Sequence, residues 1–170
     1  MKEIKLNQKV KYKDKFVALV DDEDYEYLNQ FNWHAFKNCN TYYVIRNVSL
    51  KLVSTHTSIS MHRTIMNTTK GMEVDHIDHN GLNNQKSNLR NCTMQQNQTN
   101  RRSYGESKYL GVSFIHGKYK NKKLKYIQAA IQSNKKLIYL GCFKTEEEAA
   151  RAYDTKAKEL HGEFANLNFK

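Results

Sequence analysis

Short apolar runs separated by polar turns fill the first third of the chain. Apolar positions over residues 4–6 and 16–20 predict two strands, and residues 42–48 and 58–61 predict two more. An acidic cluster at residues 21–24 suits the first turn of a helix, where the helix dipole is positive. We therefore expect a strand-rich segment with a short helix near its start.

The last third has a different pattern. Three runs rich in branched and aromatic residues, at 109–115, 124–132 and 135–143, predict strands, with a tight turn at Asn134. An amphipathic helix is predicted over residues 146–161 because small and apolar positions recur on one face. Thr145 and Glu148 form a capping box before this helix, and Gly162 is placed to end it. Three antiparallel strands with one helix on a face make an α+β unit.

Charge separates these two regions more clearly than composition does. The 170-residue chain has a formal net charge of +11, and residues 101–170 carry fifteen basic and seven acidic side chains. Residues 101–136 alone hold ten basic residues and a single acid, Glu106. Interleaved aromatic and branched residues favour a folded surface over a disordered tail. Such a surface suits a polyanion, above all the phosphates of a nucleic acid.

Several classes of protein are disfavoured. No apolar run reaches the roughly 18 residues that a membrane helix needs, and the Lys-rich start does not resemble a secretory signal. Three widely spaced cysteines without a CxxC pair argue against a disulfide framework and a thiolate zinc site. We expect a cytoplasmic protein, in a bacterial or phage-infected cell, with no membrane partner.

Residues 73–100 join a strand, an Asn-Gly turn, a second strand and a helix that begins at a Thr93–Gln96 capping box. Within this order, Asp75 and Asn97 can converge across the hairpin, with His76 beside them. Carboxylate and amide oxygens are hard ligands that suit Mg²⁺, and a neutral histidine can deprotonate a water molecule.

Taken singly, these residues also have ordinary structural interpretations. Asn88 and Asn97 could be turn or cap residues, and an isolated histidine is usually a hydrogen-bonded polar side chain. His62 and Arg63, further upstream, could contact a scissile phosphate or simply begin a surface helix. The order, spacing and expected elements together favour an active site.

The segment EVDHIDHNGLNNQKSNLRNCTMQQN, at residues 73–97, resembles the ββα-metal motif of HNH homing endonucleases. The resemblance implies that Asp75 and Asn97 bind one divalent metal ion, Mg²⁺ or Mn²⁺, and that His76 is the general base. It implies that Asn88 orients the loop that carries this base. Many members of the family have His where this chain has Asn97, and Asn still supplies an oxygen ligand.

The C-terminal segments YLGV (109–112), YLGCF (139–143) and TEEEAARAYD (145–154) resemble the plant ethylene-response-factor (Apetala-type) DNA-binding domain. That resemblance implies a three-stranded sheet that lies in the DNA major groove. This chain departs from the family on the reading surface. Ser113, Ile115 and Leu137 stand where basic residues are usual, and Tyr139 replaces a Trp, so base contacts do not transfer.

The resulting prediction is an α+β protein in two parts. Residues 1–100 form a nuclease region with a β-rich leader that packs against the ββα-metal motif at 73–100, residues 101–107 form a linker, and residues 108–170 form the DNA-binding domain. We expect a site-directed endonuclease of the homing type that acts on double-stranded DNA as a monomer or weak dimer.

The alternatives are a non-catalytic DNA-binding regulator and, with less support from the site residues, an RNA-binding protein. The predicted phosphate contacts are Arg101, Arg102, Lys118, Lys120, Lys122, Lys123, Lys125, Lys135 and Lys136.

Overall fold

The structure is a computed structural model that describes residues 1–7, 16–38, 41–50, 55–100, 103, 105–119 and 122–169. These residues form two units, which divide the chain into residues 1–97 and residues 98–170. Each unit has a hydrophobic core of its own. Among the described residues, no helix is long and apolar enough to cross a membrane.

The first unit begins with two of the predicted strands. β1 (Lys2–Lys5) pairs antiparallel with β2 (Val17–Val20), and α1 (Asp22–Leu28) follows directly. Three acidic residues occupy the first turn of α1, as the acidic cluster predicts, and the helix dipole stabilises negative charge there.

A second sheet in this unit joins three antiparallel strands in chain order, β3 (His34–Asn38), β4 (Thr41–Leu50) and β5 (Thr55–Ser60). The sequence pattern predicts β4 and β5 but not β3, which has polar or charged residues at most of its exposed positions. The predicted last strand residue, Met61, instead begins α2 (Met61–Ile65). Its side chain is fully buried in the core, so it is apolar for a reason other than strand pairing.

The core of the first unit lies between the leader strands, α1 and β4. Its fully buried members include Val20, Leu28, Trp33, Val44 and Met61. Trp33 is 1% exposed, and its indole Nε1 donates to the Leu28 carbonyl at 2.7 Å. The only tryptophan of the chain is therefore a core residue.

The central segment forms a hairpin of β6 (Glu73–His76) and β7 (Leu89–Cys92), followed by α3 (Met94–Asn97). The predicted capping box is present. The Gln96 backbone N–H donates to Thr93 Oγ1 at 3.2 Å, and the Thr93 backbone N–H donates to Gln96 Oε1 at 2.8 Å. The helix is shorter than the predicted span, which extends to about residue 100.

The long loop of this hairpin is attached to the leader. The Leu19 N–H donates to the Leu82 carbonyl at 2.9 Å, and the Asn84 N–H donates to the Leu19 carbonyl at 2.8 Å. The Lys86 N–H donates to Asp21 Oδ2 at 2.7 Å. The expected packing of the leader strands against the small motif is confirmed by these bonds.

The second unit contains an antiparallel sheet of β8 (Val112–Tyr119), β9 (Lys122–Ser133) and β10 (Lys136–Phe143), with β9 in the middle. Asn134 and Lys135 turn the chain between β9 and β10 with φ of 51° and 62°. Asn tolerates this left-handed conformation better than most residues, which explains why the turn is predictable.

One helix, α4 (Glu146–His161), packs on this sheet with the predicted bounds. The Glu148 N–H donates to Thr145 Oγ1 at 3.2 Å, but the Glu148 carboxylate accepts from the Lys144 N–H, at 3.1 Å, instead of from Thr145. Gly111, with φ of 70°, lies under the helix, and an added Cβ would come within 1.9 Å of the Tyr153 ring. A glycine there permits the close approach of helix and sheet.

Candidate active site

The four predicted site residues come from one hairpin and the helix that follows it. Asp75 and His76 are the last residues of β6, and Asn88 directly precedes β7. The Asn88 carbonyl accepts from the Ile77 N–H at 2.9 Å, which closes the end of the hairpin next to His76. Asn97 is the last residue of α3. Local pairing thus gathers residues that are as many as 22 positions apart in the sequence.

The Asp75 carboxylate is buried, with 5% of the residue exposed. Arg90 lies directly across the hairpin, in register with Asp75. Its Nε and Nη2 both contact Asp75 Oδ2, at 2.9 and 2.7 Å. A buried carboxylate needs such a partner because burial without one is strongly unfavourable. Arg90 therefore compensates the charge of Asp75 and fixes its orientation.

Asn97 is held by Glu73, the first residue of β6. The Asn97 Nδ2 donates to Glu73 Oε2 at 2.6 Å. Side chains two residues apart in a strand point to the same face, so Glu73 and Asp75 share the face that Asn97 approaches. Burial, followed by the carboxylates of Asp75 and Glu73, raises the pKa of the Cys92 thiol to about 11. Both carboxylates are therefore close enough to Cys92 to raise the pKa of its thiol.

The His76 side chain is buried, with 5% of the residue exposed. Burial lowers its pKa, although a hydrogen bond with the Asn84 side chain and the nearby Asp78 and Asp75 carboxylates act in the opposite direction. The net direction keeps the imidazole neutral near pH 7, which is the state that a general base requires.

Two other rings surround His76. Its centroid is 5.1 Å from that of His62, at an interplanar angle of 86°, and 5.7 Å from that of Tyr43. Burial, together with the positive charges of protonated His76 and of Arg63, lowers the pKa of His62 to about 3. The rings that contact His76 are therefore uncharged at neutral pH.

Asn88 bridges to the loop that follows His76. Its Oδ1 accepts from the Asp78 N–H at 3.0 Å, while its Nδ2 donates to Asp78 Oδ1 and to the Asn83 carbonyl, both at 2.9 Å. Every polar atom of this amide is therefore engaged. These bonds tie Asn88 to the loop that carries Asp78 and Asn83, and its role in orienting the loop after His76 stays a prediction.

The donor chemistry of the site fits a hard divalent cation. Asp75, Asn97 and the adjacent Glu73 offer carboxylate and amide oxygens, which suit Mg²⁺ or Mn²⁺ and not a soft metal. In the described part of the chain, no three His, Cys, Asp or Glu side chains gather as a metal-binding group. Mg²⁺ commonly keeps several water molecules and binds substrate oxygens, so it needs few protein ligands.

Sequence reasoning assigned no role to Arg90 or Glu73 and left that of His62 open. The sequence of the hairpin loop does not determine which β7 residue lies opposite Asp75. The Asp75–Arg90 ion pair therefore could not be predicted from the sequence. Arg63 has a structural role, since its Nη1 donates to the Met72 carbonyl at 2.8 Å. The sequence shows an acidic residue at 73 and a histidine at 62. It does not show that Glu73 contacts Asn97 or that His62 contacts His76.

Among the predicted phosphate contacts, Arg101, Arg102 and Lys120 lie outside the described residues, as do the side chains of Lys118, Lys122 and Lys123. Lys125 is engaged internally, because its Nζ is 2.7 Å from Glu106 Oε1 and 3.5 Å from the Phe114 ring centroid. Lys135 and Lys136 are exposed at the turn between β9 and β10.

The face of the second sheet opposite α4 is exposed and largely uncharged. Strand alternation places Ile115, Tyr126, Leu137 and Tyr139 on this face, and Leu137 and Tyr139 are 74% and 59% exposed. The departures that the sequence shows from the plant family thus lie on a solvent-exposed surface. At the start of α4, Ser107 of the predicted linker is buried, and its Oγ donates to Glu146 Oε2 at 2.6 Å.

Comparison with known proteins identifies the central segment. Residues 67–99 match the family model described as HNH endonuclease. A protein of Acanthamoeba polyphaga mimivirus named "Uncharacterized HNH endonuclease L560" is 44% identical over 95 residues, which cover 56% of this chain and 46% of that protein. The chain thus spans less than half of the length of this curated relative. No solved structure matches the chain.

Asp75, His76, Asn88 and Asn97 all lie within the segment that matches the HNH endonuclease model. The family match ends before residue 108, so the resemblance of the C-terminal unit to plant DNA-binding domains stays a prediction.

Proposed function

We propose that this chain is a divalent-metal-dependent DNA endonuclease of the homing type. The observation that carries the proposal is a buried His76, kept neutral by burial, adjacent to the buried Asp75 in the HNH segment. A neutral imidazole next to a carboxylate with a hard-cation donor set is a combination that can support phosphodiester hydrolysis.

In this proposal, Asp75 and Asn97 hold one Mg²⁺ or Mn²⁺ ion per active site. A cation bound there would neutralise charge on the phosphodiester and on the leaving 3′ oxygen. The His76 imidazole accepts a proton from a water molecule, and the water oxygen attacks phosphorus while the bond to the 3′ oxygen breaks. Asn88 keeps the loop after His76 in place through its bonds to Asp78.

The second unit is proposed to hold double-stranded DNA. Residues 101–136 supply ten basic residues against one acid, and phosphate attraction gives affinity without regard to sequence. The exposed sheet face, with Ile115, Tyr126, Leu137 and Tyr139, is proposed to meet the base edges in the major groove, which can admit β-strands. One active site per chain fits a monomer that nicks, or a weak dimer that cuts both strands.

The experiment is cleavage of a supercoiled plasmid library with randomised inserts, with Mg²⁺ or Mn²⁺ and with EDTA, followed by sequencing of the ends. Relaxed circles would indicate nicking, and linear products would indicate double-strand cleavage. His76→Ala should lower the cleavage rate at least 100-fold, since general-base catalysis contributes about 10²–10⁴, and DNA binding should be retained.

His116→Ala is the matched control because His116 is an exposed histidine of the second unit, and it should cleave like the wild type. Equal cleavage by His76→Ala and the wild type would refute the assignment. Retained DNA binding without any cleavage by the wild type would favour a non-catalytic regulator.

A further inference from the structure

The side-chain amide of Asn97 is held by a hydrogen bond from its nitrogen to Glu73. Its Nδ2 lies 2.6 Å from Glu73 Oε2, in a partly buried position. The backbone N–H of Asn97 is fixed as well, since it donates to the Thr93 carbonyl at 2.9 Å. Both the helix end and the side chain of Asn97 are therefore held in place.

The chemistry of this contact determines which atom of the amide faces which way. An ionised carboxylate only accepts hydrogen bonds, and an amide nitrogen only donates them. Glu73 thus selects the rotamer in which Nδ2 faces it and the Asn97 carbonyl oxygen faces away. In the flipped amide, two oxygens would oppose each other, and the nitrogen, which is not a metal ligand, would occupy the outward position.

We infer that Glu73 is a positioning residue that turns the Asn97 carbonyl oxygen toward the cation site beside Asp75. This inference rests on the proposed metal-dependent function and adds a residue to it. Glu73 and Asp75 project from the same face of β6, so the oxygen that Glu73 orients lies on the side of the strand where Asp75 projects. Outer groups that orient a ligand commonly change metal affinity by about 10–100-fold.

A double-mutant cycle distinguishes three possible roles of Glu73: orienting the Asn97 amide, binding the cation directly, and contributing negative charge. Glu73→Gln keeps the size of the side chain, but its amide can donate or accept, so it no longer selects one orientation of Asn97. Asn97→Asp makes both atoms at that position oxygens, so orientation ceases to matter. Mn²⁺ binding to the full chain, followed by the EPR signal of free Mn²⁺, needs neither a DNA target nor cleavage.

Glu73→Gln should weaken Mn²⁺ binding about 10–100-fold in the wild-type background. In the Asn97→Asp background, two carboxylates would face each other, and Glu73→Gln would relieve their repulsion, so the same substitution should not weaken Mn²⁺ binding. Glu26→Gln is the matched control for the loss of one negative charge elsewhere on the first unit, because the Glu26 side chain is exposed on α1. It should leave Mn²⁺ affinity unchanged.

An equal loss in both backgrounds would overturn the inference, because it would make Glu73 a direct ligand or a simple source of charge. An unchanged affinity in the wild-type background would overturn it too, while leaving the proposed nuclease intact. A wild-type chain that binds no Mn²⁺ would refute the metal-dependent function together with the inference. Fluorescence of the buried Trp33 reports that each variant is folded.

Discussion

His62 and His76 meet edge to face, with ring centroids 5.1 Å apart and planes at 86°. The two rings come from α2 and β6, and both have a pKa that burial lowers. Burial disfavours protonation of either ring, and a second positive charge would add repulsion, so the contact is most stable while both rings are neutral. This relationship links the stability of the first unit to pH.

The first prediction concerns acid stability. Burial lowers the pKa of His62 from 6.5 to about 3. Between these values the unfolded chain binds a proton that the folded chain does not, so the free energy of unfolding falls as the pH falls below about 6.5. One such proton corresponds to about 1.4 kcal/mol per pH unit. Urea unfolding between pH 4 and 7, followed by Trp33 fluorescence, measures this slope.

His62→Gln should reduce the slope of the free energy of unfolding against pH by up to the contribution of one proton, about 1.4 kcal/mol per pH unit. His116→Gln, which changes an exposed histidine, should leave this slope unchanged. Identical slopes for the wild type and His62→Gln would show that His62 titrates normally in the folded chain.

The second prediction concerns the buried ion pair. Asp75 and Arg90 side chains are 6% and 18% exposed, so Arg90→Gln leaves a buried carboxylate without its cation. Loss of one partner from a buried pair costs about 3 kcal/mol or more. Urea unfolding at pH 7 should show this loss in the first unit. Lys2→Gln is the control, since its pair with Glu26 is solvent-exposed, and a similar loss there would contradict the argument from burial.

A third prediction follows from the contact of Gly111 with α4. Alanine at this position would meet the Tyr153 ring and would require a φ of 70°, so Gly111→Ala should destabilise the second unit by about 2 kcal/mol or more. Gly117→Ala is the matched control because nothing lies within 4 Å of its added Cβ. Hydrogen exchange of the β9 amides measures the effect, and equal protection in both variants would count against close helix–sheet packing.

The fourth prediction separates the lysines of the second unit. Lys135 and Lys136 are exposed at a turn, whereas Lys125 already pairs with Glu106. Joint charge reversal, Lys135→Glu with Lys136→Glu, should weaken DNA binding and lower the slope of log affinity against log salt by about two. Lys125→Gln should change the slope much less. Binding at several salt concentrations tests both, and the opposite ranking would place the DNA elsewhere on this unit.

Features set by neighbouring residues were predictable from the sequence. The bounds of α4 follow from a capping box, an apolar stripe and Gly162, all of which lie within or next to the helix. The same holds for the Thr93–Gln96 cap and the turn at Asn134. In the candidate site, Asp75, His76, Asn88 and Asn97 can be proposed from the sequence because their order along the chain carries the signal, and their roles stay predictions.

Features that depend on distant residues were not predictable. The partners of Asp75 and Asn97 depend on hairpin register and on the placement of α3, which the loop sequence leaves undetermined. The His62–His76 contact requires α2 to pack against β6. Lys125 has the same appearance in the sequence as its neighbours, and only the position of Glu106 near it in the fold distinguishes it.

The attachment of the hairpin loop to the leader sets the smallest piece of this protein that could be transplanted. Backbone bonds from Leu19 and the carboxylate of Asp21 hold one side of the loop that ends at Asn88. A graft or gene fusion that began at Glu73 would carry the recognisable motif but would leave this side of the loop open. A transplanted piece that keeps this loop intact therefore has to include β2 and Asp21 as well as residues 73–97.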